Sequence, residues 1–252
     1  MIRRLRAVWR LARVVVHGLH GLAIVLLRFP SLGTAERQAR VQWWSRKMLR
    51  LMGIGLETVG TPRPGGTLVV ANHVSWLDIA AIHAARPQVR FVSKADVKSW
   101  PLVSRLVDAA GTLYVERERR RDAMRVMHTI AEALAQGDAV GVFPEGTTGD
   151  GHALLPFHAN LLQAAIAAGA PVQPVALRYR DATQAVSPAA AYIGDTSLAQ
   201  SMWWIACAEG LVVRVQWLPA EGSRHADRRA LSALLREQIA QALGEEPLHG
   251  EN

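Results

Sequence analysis

Two patterns of apolar positions divide the chain. Over the first fifty residues the apolar runs are long and interrupted by bases; from about residue 56, short β-rich runs alternate with helical stretches. The opening segment, MIRRLRAVWRLARVVVHGLHGLAIVLLRFP, starts basic and becomes apolar. Leu11–Leu27 is slightly short of the roughly 20 mostly apolar residues that cross a bilayer, and it contains Arg13, His17 and His20. A helix lying in the interface or inserted shallowly accommodates those polar groups better than a full span does, and a soluble surface helix ranks third. The run ends LLRFP, without the small residues a signal-peptide cleavage site needs. A second helix is expected from Thr34 as N-cap, with Glu36 in its first turn, to Gly53. Val41, Trp44, Met48, Leu51 and Met52 form its apolar stripe, which serves either a headgroup layer, with Trp43 and Trp44 as anchors, or a protein core.

Beyond this region the pattern predicts strands at Thr67–Ala71, Val89–Ser93, Thr112–Val115, Ala139–Phe143, Val172–Leu177 and Leu211–Trp217. It predicts helices at Trp76–Ala85, Asp122–Gln136, Asn160–Ala168 and Asp227–Leu243, with Gly137 and Gly169 ending two of them. Alternation of this kind implies a layered α/β domain with a central, largely parallel sheet flanked by helices. The expected organisation is an N-terminal helical membrane-associating region over residues 1–53 and an α/β domain over 54–252. In such sheets ligands bind beyond the carboxyl ends of the strands, so the residues after each strand carry the functional argument.

Composition adds two constraints. Half of the 252 residues are hydrophobic, enough for one sizeable core. Cys207 is the single cysteine, which excludes an intrachain disulfide and fits a reduced compartment; in MWWIACAEG, with no adjacent base, it reads as a small core residue. The formal charge of +8 is unevenly placed: residues 1–50 carry eleven Lys and Arg against Glu36 alone, a balance of +10, and the remainder balances at −2. Bases interleaved with apolar runs favour an anionic membrane surface over nucleic acid, for which no module is recognisable. The arginines place this end on the cytoplasmic side of a cell membrane.

Thr67–Ala71 runs into Asn72-His73-Val74-Ser75-Trp76-Leu77-Asp78. His73 and Asp78 meet only if the chain turns between them, and Ser75 with Asp78 three residues later matches a helix capping box that supplies the turn. A histidine can take a hydroxyl proton and a carboxylate can fix its tautomer; alternatively, Asp78 only caps the helix. There is no G-x-S-x-G elbow, no Walker loop and no metal spacing among the nine histidines. A base without a covalent nucleophile suits direct attack by a substrate hydroxyl on an activated ester. Further along, Arg117 stands at a strand end before the run Glu118-Arg119-Arg120-Arg121, which is either a solvated charge run or a seat for an anion. Pro144, Glu145 and Gly146 follow Ala139–Phe143, where glycine permits close approach of a ligand to the backbone.

Together these segments resemble the lysophospholipid acyltransferase family, of the 1-acylglycerol-3-phosphate acyltransferase type. The N-H-x4-D motif matches Asn72, His73 and Asp78. A second block is similar to FVSKADVKSWP (Phe91–Pro101) with GTLYVER (Gly111–Arg117), F-P-E-G-T matches Phe143–Thr147, and a V-x-P-V strand matches Val172–Val175. The resemblance covers roughly residues 55–220. It implies that His73 is the general base and Asp78 its orienting partner, and that Lys94, Arg117, Glu145, Gly146 and Thr147 bind the acceptor. The donor co-substrate would be acyl-CoA or an acyl carrier protein and the acceptor a lysolipid, with no bound cofactor or metal. Thr148 stands where the family usually has arginine. FPEGTTGDG also resembles the branch that acylates lyso-ornithine lipid, which is kept as the alternative to phosphatidate synthesis; a thioesterase or a non-catalytic membrane-binding protein is more distant.

Overall fold

The computed structural model describes residues 2–94, 103–115 and 120–244. Its centre is a seven-stranded sheet: β1 (Gly55–Val59), β2 (Thr67–Ala71), β3 (Val89–Lys94), β4 (Leu113–Val115), β5 (Ala139–Val142), β6 (Val172–Arg180) and β7 (Val212–Trp217). The spatial order is β1-β7-β6-β2-β5-β3-β4, and every neighbouring pair is parallel except β6 and β7. β2 and β5 occupy the middle, and every residue of both is buried. Apart from Thr67, their Leu, Val, Ala and Gly sequence is what a strand covered on both faces requires.

The helices are α1 (Ile2–Leu27), α2 (Thr34–Met52), α3 (Asp78–Ala85), α4 (Val103–Ala109), α5 (Arg120–Ala135), α6 (Gln163–Ala168), α7 (Leu198–Cys207) and α8 (Arg228–Gly244). Side-chain alternation along β2 splits the core in two. Val69 and Ala71 pack with residues of α2, α3 and α7, whereas Leu68 and Val70 pack with residues of α5, α6 and α8. The sheet is thus the middle of three layers, as the alternating pattern predicts.

Several expected boundaries move. α3 begins at Asp78 and not Trp76, because Val74–Leu77 is spent on the turn. The stretch before α6 is a 3₁₀ turn, Ala159–Leu162. α2 starts at Thr34 with Gly33 as its N-cap; the Glu36 carboxylate accepts the Gly33 N–H at 3.0 Å. β1, α4 and α7 were not expected. β1 is a short edge strand among glycines and prolines, but α7 did carry a signal: the Ser197 hydroxyl caps Gln200, and the Gln200 side chain accepts the Ser197 N–H. Cys207, expected inside the core, is only half-buried at the end of α7.

α1 is arranged opposite to an ordinary surface helix. Ala7, Val14, His17 and Gly21 face inward, while Leu5, Val8, Trp9, Val15, Val16 and Leu19 are exposed. Its first basic residues are committed inward. The Arg10 guanidinium donates to the Ala206 and Ala208 carbonyls at 2.9 and 3.0 Å, Arg3 donates to Cys207, and Arg6 pairs with Glu209 at 2.7 Å. Arg3 and Arg10 therefore satisfy free carbonyls at the C-terminus of α7, while Arg6 holds the Glu209 carboxylate just beyond it.

α1 and α2 meet through a pair of aromatic residues. His17 stacks on Trp44 with ring centres 5.1 Å apart, its Nε2 lies 3.0 Å from the Trp44 carbonyl, and the Trp44 indole N–H donates back to the His17 carbonyl at 3.3 Å. Gly21 permits this approach, since an added Cβ would run into the Trp44 indole. Gly21→Leu should therefore lower the thermal unfolding midpoint, by an overpacking cost of about 1–3 kcal/mol. Gly18→Ala, where nothing lies within 4 Å of the new atom, should leave the midpoint unchanged or raise it.

Candidate active site

β2 and β5 are parallel neighbours in register from Thr67·Ala139 to Val70·Val142, so the segments that follow them emerge side by side. Asn72 extends the order of the sheet by one step. Its side-chain amide donates to the Leu177 carbonyl at 2.9 Å and accepts the Leu177 N–H at 2.7 Å, clasping the end of β2 to β6. The chain then turns through Val74–Leu77 into α3, and this turn returns Asp78 to His73.

Asp78 is fully buried and accepts four hydrogen bonds. Oδ2 faces His73 Nδ1 at 2.7 Å and accepts the N–H groups of Val74 and Ser75 at 2.8 and 2.9 Å; Oδ1 accepts the Tyr179 hydroxyl at 2.8 Å. Burial, reinforced by the adjacent Asp78 charge, pushes the Tyr179 hydroxyl well above its ordinary range, so it remains a donor. With both carboxylate oxygens accepting, the proton of the neutral imidazole is placed on Nδ1. Nε2 is left with its lone pair, the state a general base needs. The capping expectation is met in part: Asp78 bonds the Ser75 N–H, but the Ser75 hydroxyl is buried without a partner and the first helical residue is Asp78 itself.

Glu145 anchors the second loop to the first. Its Oε1 accepts the His73 N–H at 2.7 Å and its Oε2 accepts the Leu155 N–H at 2.9 Å. Burial raises its carboxyl above the ordinary range, and the two N–H donors pull against that shift. The His73 carbonyl in turn accepts the Gly149 N–H at 2.7 Å, so the two loops are bonded in both directions. Phe143 lies flat on the His73 ring, 4.0 Å between centres and 11° between planes, and Phe91 of β3 stacks behind Phe143 at 5.4 Å. The imidazole is thus fixed by a carboxylate at one edge and a ring on one face.

The expected site residues do not all have the same standing. His73, Asp78 and Glu145 are brought together. Gly146 follows at φ 73°, a left-handed turn that favours glycine, and it is exposed at the mouth together with Thr147. Lys94 is the last residue of β3, three positions beyond the Phe91·Gly141 pair and hence at the same rim of the sheet. Arg117, Arg119 and the whole stretch from Ala95 to Pro101 lie outside the described residues. Thr148 does not simply face outward: its hydroxyl donates to the Tyr192 carbonyl, while the Tyr192 N–H donates to Val74 at 3.0 Å. The segment around Tyr192 is thereby tied to both loops of the site.

Two contributors escaped the sequence reading, Tyr179 and the Phe143–Phe91 stack. The alternation Val175, Leu177, Tyr179 along β6 was the available signal: it puts the hydroxyl on the face carrying α3, at the carboxyl end of the strand. Tyr179→Phe should cost about 1–3 kcal/mol, since it leaves a buried carboxylate oxygen without its donor. Thermal unfolding of the purified variant measures this directly, and an unchanged midpoint would show that Oδ1 finds another donor.

Comparison with known proteins agrees with this geometry. Residues 55–178 match the acyltransferase family model. The chain is 41% identical to 1-acyl-sn-glycerol-3-phosphate acyltransferase of Neisseria meningitidis serogroup B over 77% of this chain and 76% of that one. It is 35% identical to lyso-ornithine lipid O-acyltransferase of Pseudomonas aeruginosa over 95% of this chain and 94% of that one. The crystal structure of the 1-acyl-sn-glycerophosphate acyltransferase PlsC from Thermotoga maritima superposes with a TM-score of 0.69 at 19% identity, covering 96% of this chain and all of that one, and so shares its fold. The chain belongs to the lysophospholipid acyltransferase family and is an O-acyltransferase.

Proposed function

We propose that the enzyme transfers a fatty acyl group from the thioester of acyl-CoA or acyl carrier protein to the free hydroxyl of 1-acylglycerol-3-phosphate, giving phosphatidate. The observation that supports this best is the His73·Asp78 pair with Nε2 unencumbered at the rim of the sheet. The acceptor hydroxyl gives its proton to Nε2 as its oxygen attacks the thioester carbonyl. The tetrahedral intermediate collapses, the carbon–sulfur bond breaks, and the departing thiolate takes the proton back from the imidazolium. Gly146 and Thr147, with Lys94 and Arg117, are assigned to the acceptor headgroup. Glu145, with both oxygens on backbone N–H groups, holds the two loops together at the edge of that pocket.

Residues 1–53 form the membrane-associating region of this reading and 54–252 the catalytic domain. α1 is, among the described residues, the helix long and apolar enough to cross a bilayer. Its exposed apolar side and packed inner side suit insertion parallel to the cytoplasmic face of the cell membrane, which delivers the lysolipid to the site.

A second acceptor has its own support. Thr148 is uncharged where the family usually has arginine, and the relative matched over 95% of this chain is named for lyso-ornithine lipid. Thr148→Arg separates the two readings. A new guanidinium should improve use of a phosphate headgroup and impair use of an amino-acid headgroup bearing an ammonium. The measurement is kcat/KM for both lysolipids with one labelled acyl-CoA. Parallel changes for both lipids would remove residue 148 from the argument.

His73→Ala should lower kcat by about 10²–10⁴-fold while circular dichroism and the unfolding midpoint stay near those of the parent. Near-parental turnover in a folded variant would overturn the proposed chemistry.

A further inference from the structure

The seam between α1 and α2 holds a groove of about 510 Å³, away from the His73·Asp78 pair. Trp9 and Val16 of α1 and Leu51 of α2 supply apolar walls, and Arg13, His20 and Lys47 are the polar groups among them. Arg13 and Lys47 make no ion pair or hydrogen bond among the described residues; each lies over an indole, Arg13 at 5.9 Å from the Trp9 ring centre and Lys47 at 4.9 Å from that of Trp43. The acids of the first fifty residues offer no substitute, since Glu36 is alone and caps α2. Two cations on adjacent helices therefore face a common groove without an anion.

A second observation is independent of charge. The His17 ring also lines the groove, and the residue is 3% exposed. Its Nε2 faces the Trp44 carbonyl and so carries the ring proton, which makes Nδ1 an acceptor; Nδ1 is buried and has no partner among the described residues. An unpaired buried acceptor costs stability unless something donates to it. The groove opens beside Trp9 and Val16, which are 64% and 65% exposed and belong to the apolar side of α1. Apolar walls, unpaired cations and an unpaired acceptor at the boundary of an apolar face match a phospholipid better than a nucleic-acid backbone, which offers no chain for the walls to cover.

We propose that the α1–α2 seam is a binding site for one anionic phospholipid molecule, with its phosphate between Arg13 and Lys47 and an acyl chain along Trp9, Val16 and Leu51. This site is separate from the acceptor site and rests on the membrane association proposed above. A lipid held there joins the two helices through an ion shared between them, so its effect is on the hairpin and not on the reacting atoms.

The test uses the full chain and monomeric short-chain lipids, which need no membrane. Dihexanoyl-phosphatidylglycerol should bind saturably and raise the unfolding midpoint; dihexanoyl-phosphatidylcholine and inorganic phosphate should do so far more weakly. Arg13→Gln with Lys47→Gln should weaken phosphatidylglycerol binding at least about ten-fold, as expected for lost charge-assisted contacts. Arg28→Gln with Arg40→Gln, an equal loss of charge at exposed positions of the same region, should leave it unchanged. Equal binding of the two lipids, equal loss in the control variant, or no binding by the parent protein would overturn the site. Sedimentation with phosphatidylcholine vesicles is the separate readout of membrane association. The seam variant should still sediment; failure of the parent protein to sediment with any vesicle would refute the association itself.

Discussion

A carboxylate at zero exposure organises this fold around the reaction. Asp78 has been taken out of water, which is costly for a charge, and is stabilised by four donors drawn from three places: the His73 ring, two amides of its own turn, and Tyr179 on β6. Satisfying those donors forces the tight passage from β2 into α3. Because the passage is tight, the His73 backbone lands beside Glu145, and the loop after β5 is bonded to it in both directions. The imidazole is therefore positioned by hydrogen bonds that the fold needs in any case. The capping role of Asp78 and the orienting role proposed for it are not alternatives here, since the same oxygen that caps the turn faces the ring.

The sheet was legible because buried parallel strands leave continuous apolar runs: Thr67–Ala71 was located to the residue and the other predicted strands to within a few positions. Legibility fell where tertiary contacts outweigh local pattern. β1, five residues with none buried, is held by pairing with β7 and has little of its own to announce it. At the site, motif spacing named His73 and Asp78, but spacing does not reveal how an oxygen is used. Glu145, which the resemblance assigns to the acceptor, also accepts the backbone N–H groups of His73 and Leu155, a use that no spacing announces. Thr148, noted only for standing where the family usually has arginine, ties down the segment at Tyr192. Tyr179 lies 101 positions from Asp78, and no local pattern connects a strand tyrosine to a distant aspartate. Arg3, Arg6 and Arg10 followed the same rule, since the carbonyls of Ala206, Cys207 and Ala208 and the Glu209 carboxylate that they bond lie far along the sequence.

The N-terminal helices are joined to the site through α7. α1 caps the C-terminus of α7, and from its middle the Ser201 hydroxyl accepts the Trp76 indole N–H at 3.1 Å, inside the His73–Asp78 turn. α2 performs a similar service for α3: Gln42 and Arg46 donate to the Ala84 and Ala85 carbonyls at its end. Both helices that border the His73–Asp78 turn thus have free carbonyls satisfied by α1 and α2, which makes that pair part of the architecture around the site.

The Arg10 clasp also sets an order of events in time. Arg10 precedes Ala206 by 196 positions. A ribosome adding about 5–20 residues per second needs on the order of 10–40 s to supply the carbonyls that Arg10 will bond. Throughout that interval α1 has no α7 to pack on, and its outer apolar side is uncovered. An apolar surface is what it lacks, and a bilayer is one available before the domain is. On the proposed membrane association, α1 would then reach the lipid first, and the catalytic domain would assemble onto a helix already in place.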